Sequence, residues 1–376
     1  MQDLSSQEIL RYQRHLILPQ VGHEGQAKLK EASALVVGAG GLGAPVLQYL
    51  AAAGVGNISI LDGDVVEESN LQRQVLFTED DLGQFKAQVA AQRLGRMNPH
   101  IKISHETRML TAQSVLETIR GFDCVVDCTD NFPTRYALND ACVIAKVPLI
   151  SAAIFRFEGQ LSIYAHPDGP CYRCFYPKPP PQGLIPDCAS GGVFGVLAGV
   201  LGTMQAVEVI KLILGVGDLV LNRLVLYDSL KAKLSEMKVR KNPNCPYCAS
   251  SSEITDVHAI EWSCPMKNDV EVQEISVEKL KEYRDSSKEF TLLDVREPFE
   301  LEIARIDPVL EIPLGELESR ISELSDTSEI VIMCRSGKRS ASACEILMQA
   351  GFKDVKNLSG GILEWSARID PSIRRY

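Results

Sequence analysis

The sequence predicts an α/β protein in two domains, a larger one on a mostly parallel sheet and a smaller α/β one after it. Three observations carry this. At 376 residues the chain exceeds the usual size of one core and suits two. ALVVGAGGLGAPVLQYLAAAGVGNISILDGD (34 to 64) reads as strand, glycine turn, helix and strand, a βαβ unit. A second run of alternating elements begins after a turn-rich stretch near residue 250.

In order along the chain, DCVVDCTD (123 to 130) and PLISAAI (148 to 154) repeat the buried-strand pattern after helical stretches, as a parallel sheet with helices on both faces requires. From about 161 the pattern loosens, and YPKPPPQGLIPDCAS (176 to 190) carries five prolines, which predicts an exposed irregular loop. VFGVLAGVLGTMQAV (193 to 207) is the most apolar run, interrupted by three glycines; a buried helix is expected there, not a membrane span. FTLLDV (290 to 295), EIVIMC (329 to 334) and VKNL (355 to 358) are short strands, with an amphipathic helix at SASACEILMQAG (340 to 351). The expected boundaries are 1–251 for the first domain, 252–272 for a linker and 273–376 for the second domain.

Composition limits the function. Net charge is −10, which argues against nucleic acid or an anionic membrane as partner, since both need clustered cations. The amino terminus lacks the basic start and apolar run of a secretory signal, so a cytoplasmic location is expected. Eleven cysteines in such a chain point to metal or catalysis before disulfides.

GAGGLG (38 to 43) fits G-x-G-x-x-G between strand and helix, where Gly38, Gly40, Gly41 and Gly43 let a phosphate approach the backbone and the helix amino terminus favours negative charge. Alone it is compatible with a nicotinamide cofactor held by Asp62. LDGDVVEESNLQRQ (61 to 74) adds Asp64, Asn70 and Arg73 just beyond the strand end. A cation there suits substitution at a triphosphate, because charge develops on departing pyrophosphate. Lys86 adds a second cation, and CTDN (128 to 131) ends the next strand with Asp130, an acid suited to Mg²⁺, and Asn131. Cys171, Cys174, Cys245 and Cys248 form two C-x-x-C pairs, read either as a closed tetrahedral zinc site or as redox pairs. Cys188 sits on the proline-rich loop shortly before a helix start, a setting that can lower a thiol's pKa. Cys124, Cys128, Cys142 and Cys344 fall in strand or helix patterns and are expected to be packing residues; Cys264 has no assignment.

Together GAGGLG, LDGDVVEESNLQRQ, Lys86, CTDN and RYQRH (11 to 15) resemble the ubiquitin-activating-enzyme superfamily, in the branch of adenylyltransferases for molybdopterin-synthase and thiamine sulfur carriers. The resemblance implies a Rossmann-like domain that uses ATP and Mg²⁺. It implies Asp62 on ribose, Asn70, Arg73 and Lys86 on phosphates, Asp130 at the metal and reacting centre, and Arg14 reaching the other subunit's site in a homodimer. It also places zinc on the four paired cysteines and a thioester- or disulfide-forming cysteine at Cys188.

In the second domain, DVREPFE (294 to 300), CRSGKRS (334 to 340) and NLSGGILEW (357 to 365) resemble a rhodanese. A cysteine phosphatase has C-x5-R, whereas Arg339 here gives C-x4-R and Ser340 takes the phosphatase arginine's place; the shorter loop suits sulfur. Backbone N–H groups curling around Cys334, with Arg335, Lys338 and Arg339 nearby, are expected to stabilise a thiolate or persulfide. EIARIDPVL (302 to 310) departs from the usual rhodanese continuation and leaves the orientation of Asp294 and Arg296 open. The two resemblances imply one enzyme. It adenylates the carboxyl-terminal glycine of a small ubiquitin-like sulfur carrier with a Gly-Gly end. It then transfers sulfur as a Cys334 persulfide, loaded by an upstream donor such as a cysteine desulfurase. A nicotinamide oxidoreductase with a redox-sensing domain and a non-catalytic scaffold are the alternatives.

Overall fold

The computed structural model describes residues 3–180, 192–249, 252, 254–257, 272–286, 288–325 and 328–375. It divides into two compact units, residues 1–264 and 265–376.

Among the described residues the first unit holds eight strands: β1 (Ser33–Val37), β2 (Asn57–Leu61), β3 (Lys102–Glu106), β4 (Cys124–Asp127), β5 (Leu149–Phe155), β6 (Glu158–Tyr164), β7 (Arg223–Asp228) and β8 (Lys233–Lys238). They form one sheet in the order β3-β2-β1-β4-β5-β6-β7-β8. The pairs from β3 to β5 are parallel and those from β5 to β8 antiparallel. The order reverses at β1, between β2 and β4, which is where open α/β sheets place ligands at the strands' carboxyl ends. The central strands read as continuous apolar runs because both faces are covered, with Leu35, Val36, Ile58, Val125 and Ile150 all buried.

The helix Gly195–Leu214 is long and apolar enough to cross a membrane by length and composition alone. In the fold it is a core element that buries Leu197, Leu201, Ala206 and Val209. Its Gly202 permits close approach to the helix Gly43–Ala53, since a Cβ there would lie 2.4 Å from the Leu42 carbonyl oxygen. The stretch from 161 is more ordered than its pattern suggests. β6 and β7 bury only part of their length, and β8, KLSEMK, is exposed at every position. A lysine-flanked edge strand without an inward face leaves no period-2 signal.

Among its described residues the second unit carries five parallel strands: β9 (Gln273–Ile275), β10 (Thr291–Asp294), β11 (Leu310–Glu311), β12 (Ile330–Met333) and β13 (Val355–Leu358). Their order is β11-β10-β12-β13-β9. Two apolar clusters flank this sheet, one around Leu293, Ile332 and Leu347 and the other around Val331, Met333 and Trp365. The helix Lys338–Gln349 follows β12, so the loop between them is a strand-to-helix turn at a carboxyl end.

Candidate functional site

At the carboxyl end of the first sheet, backbone pairing draws the expected residues together. The Gly38 N–H donates to the Leu61 carbonyl at 2.9 Å, and the Cys128 N–H to that of Val37 at 2.9 Å. The ends of β1, β2 and β4 are therefore level. Gly38 turns with φ +93, and a Cβ on Gly43 would sit 1.9 Å from the Gly38 carbonyl oxygen, so these two glycines are sterically required. Asp62 accepts from the Ala39 amide at 2.7 Å and from the Asp64 amide at 2.8 Å, which fixes both carboxylate oxygens at the mouth of the turn. Burial pushes the Asp62 carboxyl up, against those two amides and the charge of Lys86.

The segment following β2 folds back over the turn. Positions 40 and 41 face Gln74 and Arg73: a Cβ on Gly40 would lie 3.5 Å from Gln74 Nε2, and one on Gly41 3.6 Å from Arg73 Cγ. Arg73 donates to the Ser69 carbonyl at 2.9 Å. Lys86, buried at the start of the helix Lys86–Met97, holds Asp64 at 3.2 Å. Asn70 and Gln74 are buried, yet among the described residues Asn70 Oδ1 and Gln74 Oε1 have no hydrogen-bond partner. Orphaned buried acceptors are uncommon in a finished fold and fit a site that a polar ligand completes. Three residues beyond the end of β4, Asp130 is exposed, while Asn131 caps the helix Phe132–Ala145 by accepting from the Thr134 amide at 2.9 Å.

Arg14 is not brought to this turn. It is exposed on the helix Ser6–Leu16. That helix docks through Tyr12 against Gly54, at the far end of the helix the glycine turn opens. Eleven residues of helix separate the two ends, about 16 Å.

Sequence reading missed the support beneath Asp130. Asp127 is fully buried and accepts from Arg135 Nε at 2.8 Å, Ser151 Oγ at 2.7 Å and Thr129 Oγ1 at 2.6 Å. Arg135 also donates to the Thr129 and Ala152 carbonyls. The Gln205 amide bridges the Asp127 and Ile150 carbonyls from the helix above. A charged residue closing an otherwise apolar strand was the available signal.

The four paired cysteines converge. Sγ separations are 3.9 Å for Cys171 and Cys174, 3.7 Å for Cys171 and Cys245, and 3.4 Å for Cys174 and Cys248. A tetrahedral ion about 2.3 Å from each sulfur needs edges of about 3.8 Å, so the cluster fits a four-coordinate metal. The x positions of the motifs add a second clasp. Arg173 forks onto Asp140 with two contacts of 2.7 Å and lies 4.0 Å from the Tyr247 ring centre and 4.7 Å from that of Tyr136. Burial pushes the Cys124 and Cys344 thiols up to about 12 and those of Cys128 and Cys142 well above the usual range, which suits packing residues. Cys188 and Cys264 lie outside the described residues.

In the second unit, Cys334 directly follows β12 and is buried. Its sulfur accepts from the Gly337 N–H at 3.2 Å and from Ser340 Oγ at 3.3 Å. The Ile362 amide donates to the Cys334 carbonyl at 2.9 Å, and a Cβ on Gly361 would lie 2.3 Å from that oxygen, which explains the glycine pair of NLSGGILEW. The surroundings add two pairings that the sequence left open. Arg339 pairs bidentately with Glu300, at 2.6 and 2.7 Å. Asp294 and Arg296 clamp each other in the interior, at 2.6 Å, and Arg296 donates to the Ala304 carbonyl at 2.9 Å. EIARIDPVL thus supplies, at Ala304, a carbonyl that helps lock Arg296.

These features define a class: a nucleotide-binding α/β unit with a metal-competent cysteine cluster, joined in one chain to a unit built around a buried thiol that accepts from a backbone amide and a serine hydroxyl. Residues 12–247 match the ThiF family and residues 276–368 a rhodanese-like domain, and the chain belongs to the ThiF family with that domain appended. It is 41% identical to the adenylyltransferase and sulfurtransferase MOCS3 of Drosophila sechellia, over 99% of this chain and 86% of that one. It is 42% identical to the probable adenylyltransferase/sulfurtransferase MoeZ of Mycobacterium tuberculosis, over 99% and 96%. The first unit also resembles the solved E. coli MccB with ATP, at TM-score 0.56 and 29% identity, over 63% of this chain and 74% of that one. These likenesses favour adenylation over the nicotinamide reading.

Proposed function

We propose that the two units act in sequence on one protein substrate. The chain is an adenylyltransferase and sulfurtransferase: it activates the carboxyl-terminal glycine of a small ubiquitin-like sulfur carrier with ATP, then exchanges the AMP for sulfur carried on Cys334. The observation that carries this is the pair of orphaned amide oxygens on Asn70 and Gln74, set with Arg73 over the glycine turn in a chain that also holds a thiol nest.

In the first step a carboxylate oxygen of the carrier attacks the α-phosphorus and pyrophosphate departs. Arg73 and Lys86 stand where that charge develops, Lys86 by leaving Asp64. Asp62 offers its remaining lone pairs to ribose hydroxyls. Gly38, Gly40, Gly41 and Gly43 leave the backbone open to phosphate, and Asn70 takes a polar group of the nucleotide. Asp130, with Asp64 and Asn131 beside the site, would hold Mg²⁺, which screens the phosphate oxygens when bound. Arg14 acts on the partner's nucleotide in a homodimer, a reading its distance from its own glycine turn supports. Cys171, Cys174, Cys245 and Cys248 hold structural zinc that closes the domain.

In the second step the outer sulfur of a Cys334 persulfide attacks the acyl carbon and AMP leaves, giving an acyl disulfide. A second thiol, assigned to Cys188, attacks the Cys334 sulfur; a Cys188–Cys334 disulfide forms, the thiocarboxylate leaves with the electron pair of the broken S–S bond, and an external dithiol reductant returns both cysteines to thiols. The enzyme works in the cytoplasm with a persulfide donor such as a cysteine desulfurase, and its carrier serves molybdopterin, thiamine or a related thiolation pathway. The test is carrier-dependent ATP–pyrophosphate exchange. Asp130→Ala loses it while remaining folded; normal exchange in a folded Asp130→Ala chain refutes the site.

A further inference from the structure

We propose that Ser340 is a catalytic residue of the sulfur-transfer step, its hydroxyl donating directly to the Cys334 sulfur while that sulfur is a thiolate. The inference rests on the reading of Cys334 as the sulfur-carrying nucleophile.

The loop was expected to stabilise anionic sulfur with backbone N–H groups and nearby cations. Among the described residues the hydrogen bonds to Cys334 Sγ come from one such backbone group, the Gly337 amide at 3.2 Å, and from a side chain not foreseen, Ser340 Oγ at 3.3 Å. Ser340 is fully buried, in the first turn of the helix Lys338–Gln349. Sulfur donors and acceptors bond at longer range than oxygen, so 3.3 Å is a close contact. A buried hydroxyl needs a partner, and this one is aimed at the reacting atom. The charged groups on surrounding elements have other engagements. Arg339 is held by Glu300, Asp294 and Arg296 hold each other, and Glu274 of β9 accepts from Asn357 and Ser359.

The chemistry assigns the hydroxyl a role in both half-reactions. In loading from thiosulfate, the Cys334 thiolate attacks the outer sulfur; the Sγ–S bond forms, the bond to the sulfonate breaks, and sulfite leaves with the electron pair. In unloading to cyanide, carbon attacks the outer sulfur and thiocyanate departs. The electron pair of the broken S–S bond returns to Sγ, again a thiolate. A donor fixed on Sγ stabilises the thiolate that begins loading and ends unloading, and bonds less strongly to the neutral inner sulfur of the persulfide. Ser340 therefore governs the fraction of reactive thiolate and how well Sγ leaves.

The experiment uses the full chain. Persulfide formation on Cys334 from thiosulfate, and its discharge by cyanide, are followed by mass spectrometry across pH for wild type, Ser340→Ala, Ser340→Thr and Cys334→Ala. Ser340→Ala loads roughly tenfold more slowly on the acid side, its profile lies about one unit higher in pH, and its rate converges on wild type in alkali. Ser340→Thr, which keeps the hydroxyl, returns the profile toward wild type. A Ser340→Ala profile superimposable on wild type, or a uniform loss at every pH, overturns the proposal. Failure of wild type to load, or loading by Cys334→Ala, overturns the nucleophile reading itself.

Discussion

Asp127 and Asp130 stand three residues apart at the end of one strand, one fully buried and one exposed, and the proposed function gives them opposite duties. Replacing Asp127 with asparagine keeps the shape and some acceptor capacity but removes the charge facing Arg135. Side-chain exposure is 0% for Asp127 and 7% for Arg135, so water cannot replace the lost partner. Breaking a buried pair this way costs about 3 to 5 kcal/mol. A domain of this size loses about 2 to 4 °C in unfolding temperature per kcal/mol, so Asp127→Asn should unfold roughly 6 to 20 °C early. Ser151→Ala, which removes only a neutral donor, should cost about 1 kcal/mol. Asp130→Ala, at an exposed position, should stay within about 0.5 kcal/mol of wild type. Calorimetry or circular dichroism measures each shift, with pyrophosphate exchange measured well below every transition. There Asp127→Asn should retain exchange and Asp130→Ala should lose it. Asp127→Asn as stable as wild type, or Asp130→Ala as damaging to the fold as Asp127→Asn, would refute this division of labour.

Replacing Cys171 and Cys174 together with serine should release the bound metal and lower the unfolding temperature, because metal binding is coupled to folding; elemental analysis that finds no metal in the wild-type protein contradicts this. Mixing Arg14→Ala with Asp130→Ala chains should restore part of the exchange through hybrid dimers with one complete site, and no recovery after verified subunit exchange counts against a shared site. Glu329 gives an acid limb to the stability of the second unit. Burial would raise its carboxyl, but Lys288 and Lys356 hold it below the ordinary 4.5. The folded state then binds that proton less readily than the unfolded one, so the stabilisation is complete above 4.5 and is lost as pH falls through the lower folded value. Glu329→Gln should flatten that limb in denaturant titrations, and an unchanged limb removes Glu329 as its cause.

Much of the fold was legible because it depends on local pattern. The apolar runs at β1, β4, β5 and β12 are buried on both faces, and the glycines of the first turn are demanded by clashes between near neighbours. What was hidden depends on distant partners. β8 has no buried face to mark it. Arg339 looks like a sulfur-binding cation until Glu300, thirty-nine residues earlier, is seen to claim it. Arg173 looks like filler between two paired cysteines until the fold sets it against Asp140 and Tyr247. The burial of Ser340 against Cys334 required a helix that starts at Lys338 and turns its third residue inward, which composition does not specify.

The central claim is that adenylation and sulfur transfer are separate chemical steps joined by the carrier, with Cys334 supplying the sulfur. The decisive measurement is the mass of a Gly-Gly carrier after incubation with the full chain, ATP, magnesium and a persulfide donor, with free sulfide excluded. Wild type should exchange one terminal oxygen of the carrier for sulfur. Cys334→Ala should keep pyrophosphate exchange near the wild-type rate and return the carrier as acyl-adenylate or unmodified carboxylate. Thiocarboxylate formed by Cys334→Ala at the wild-type rate would contradict the account.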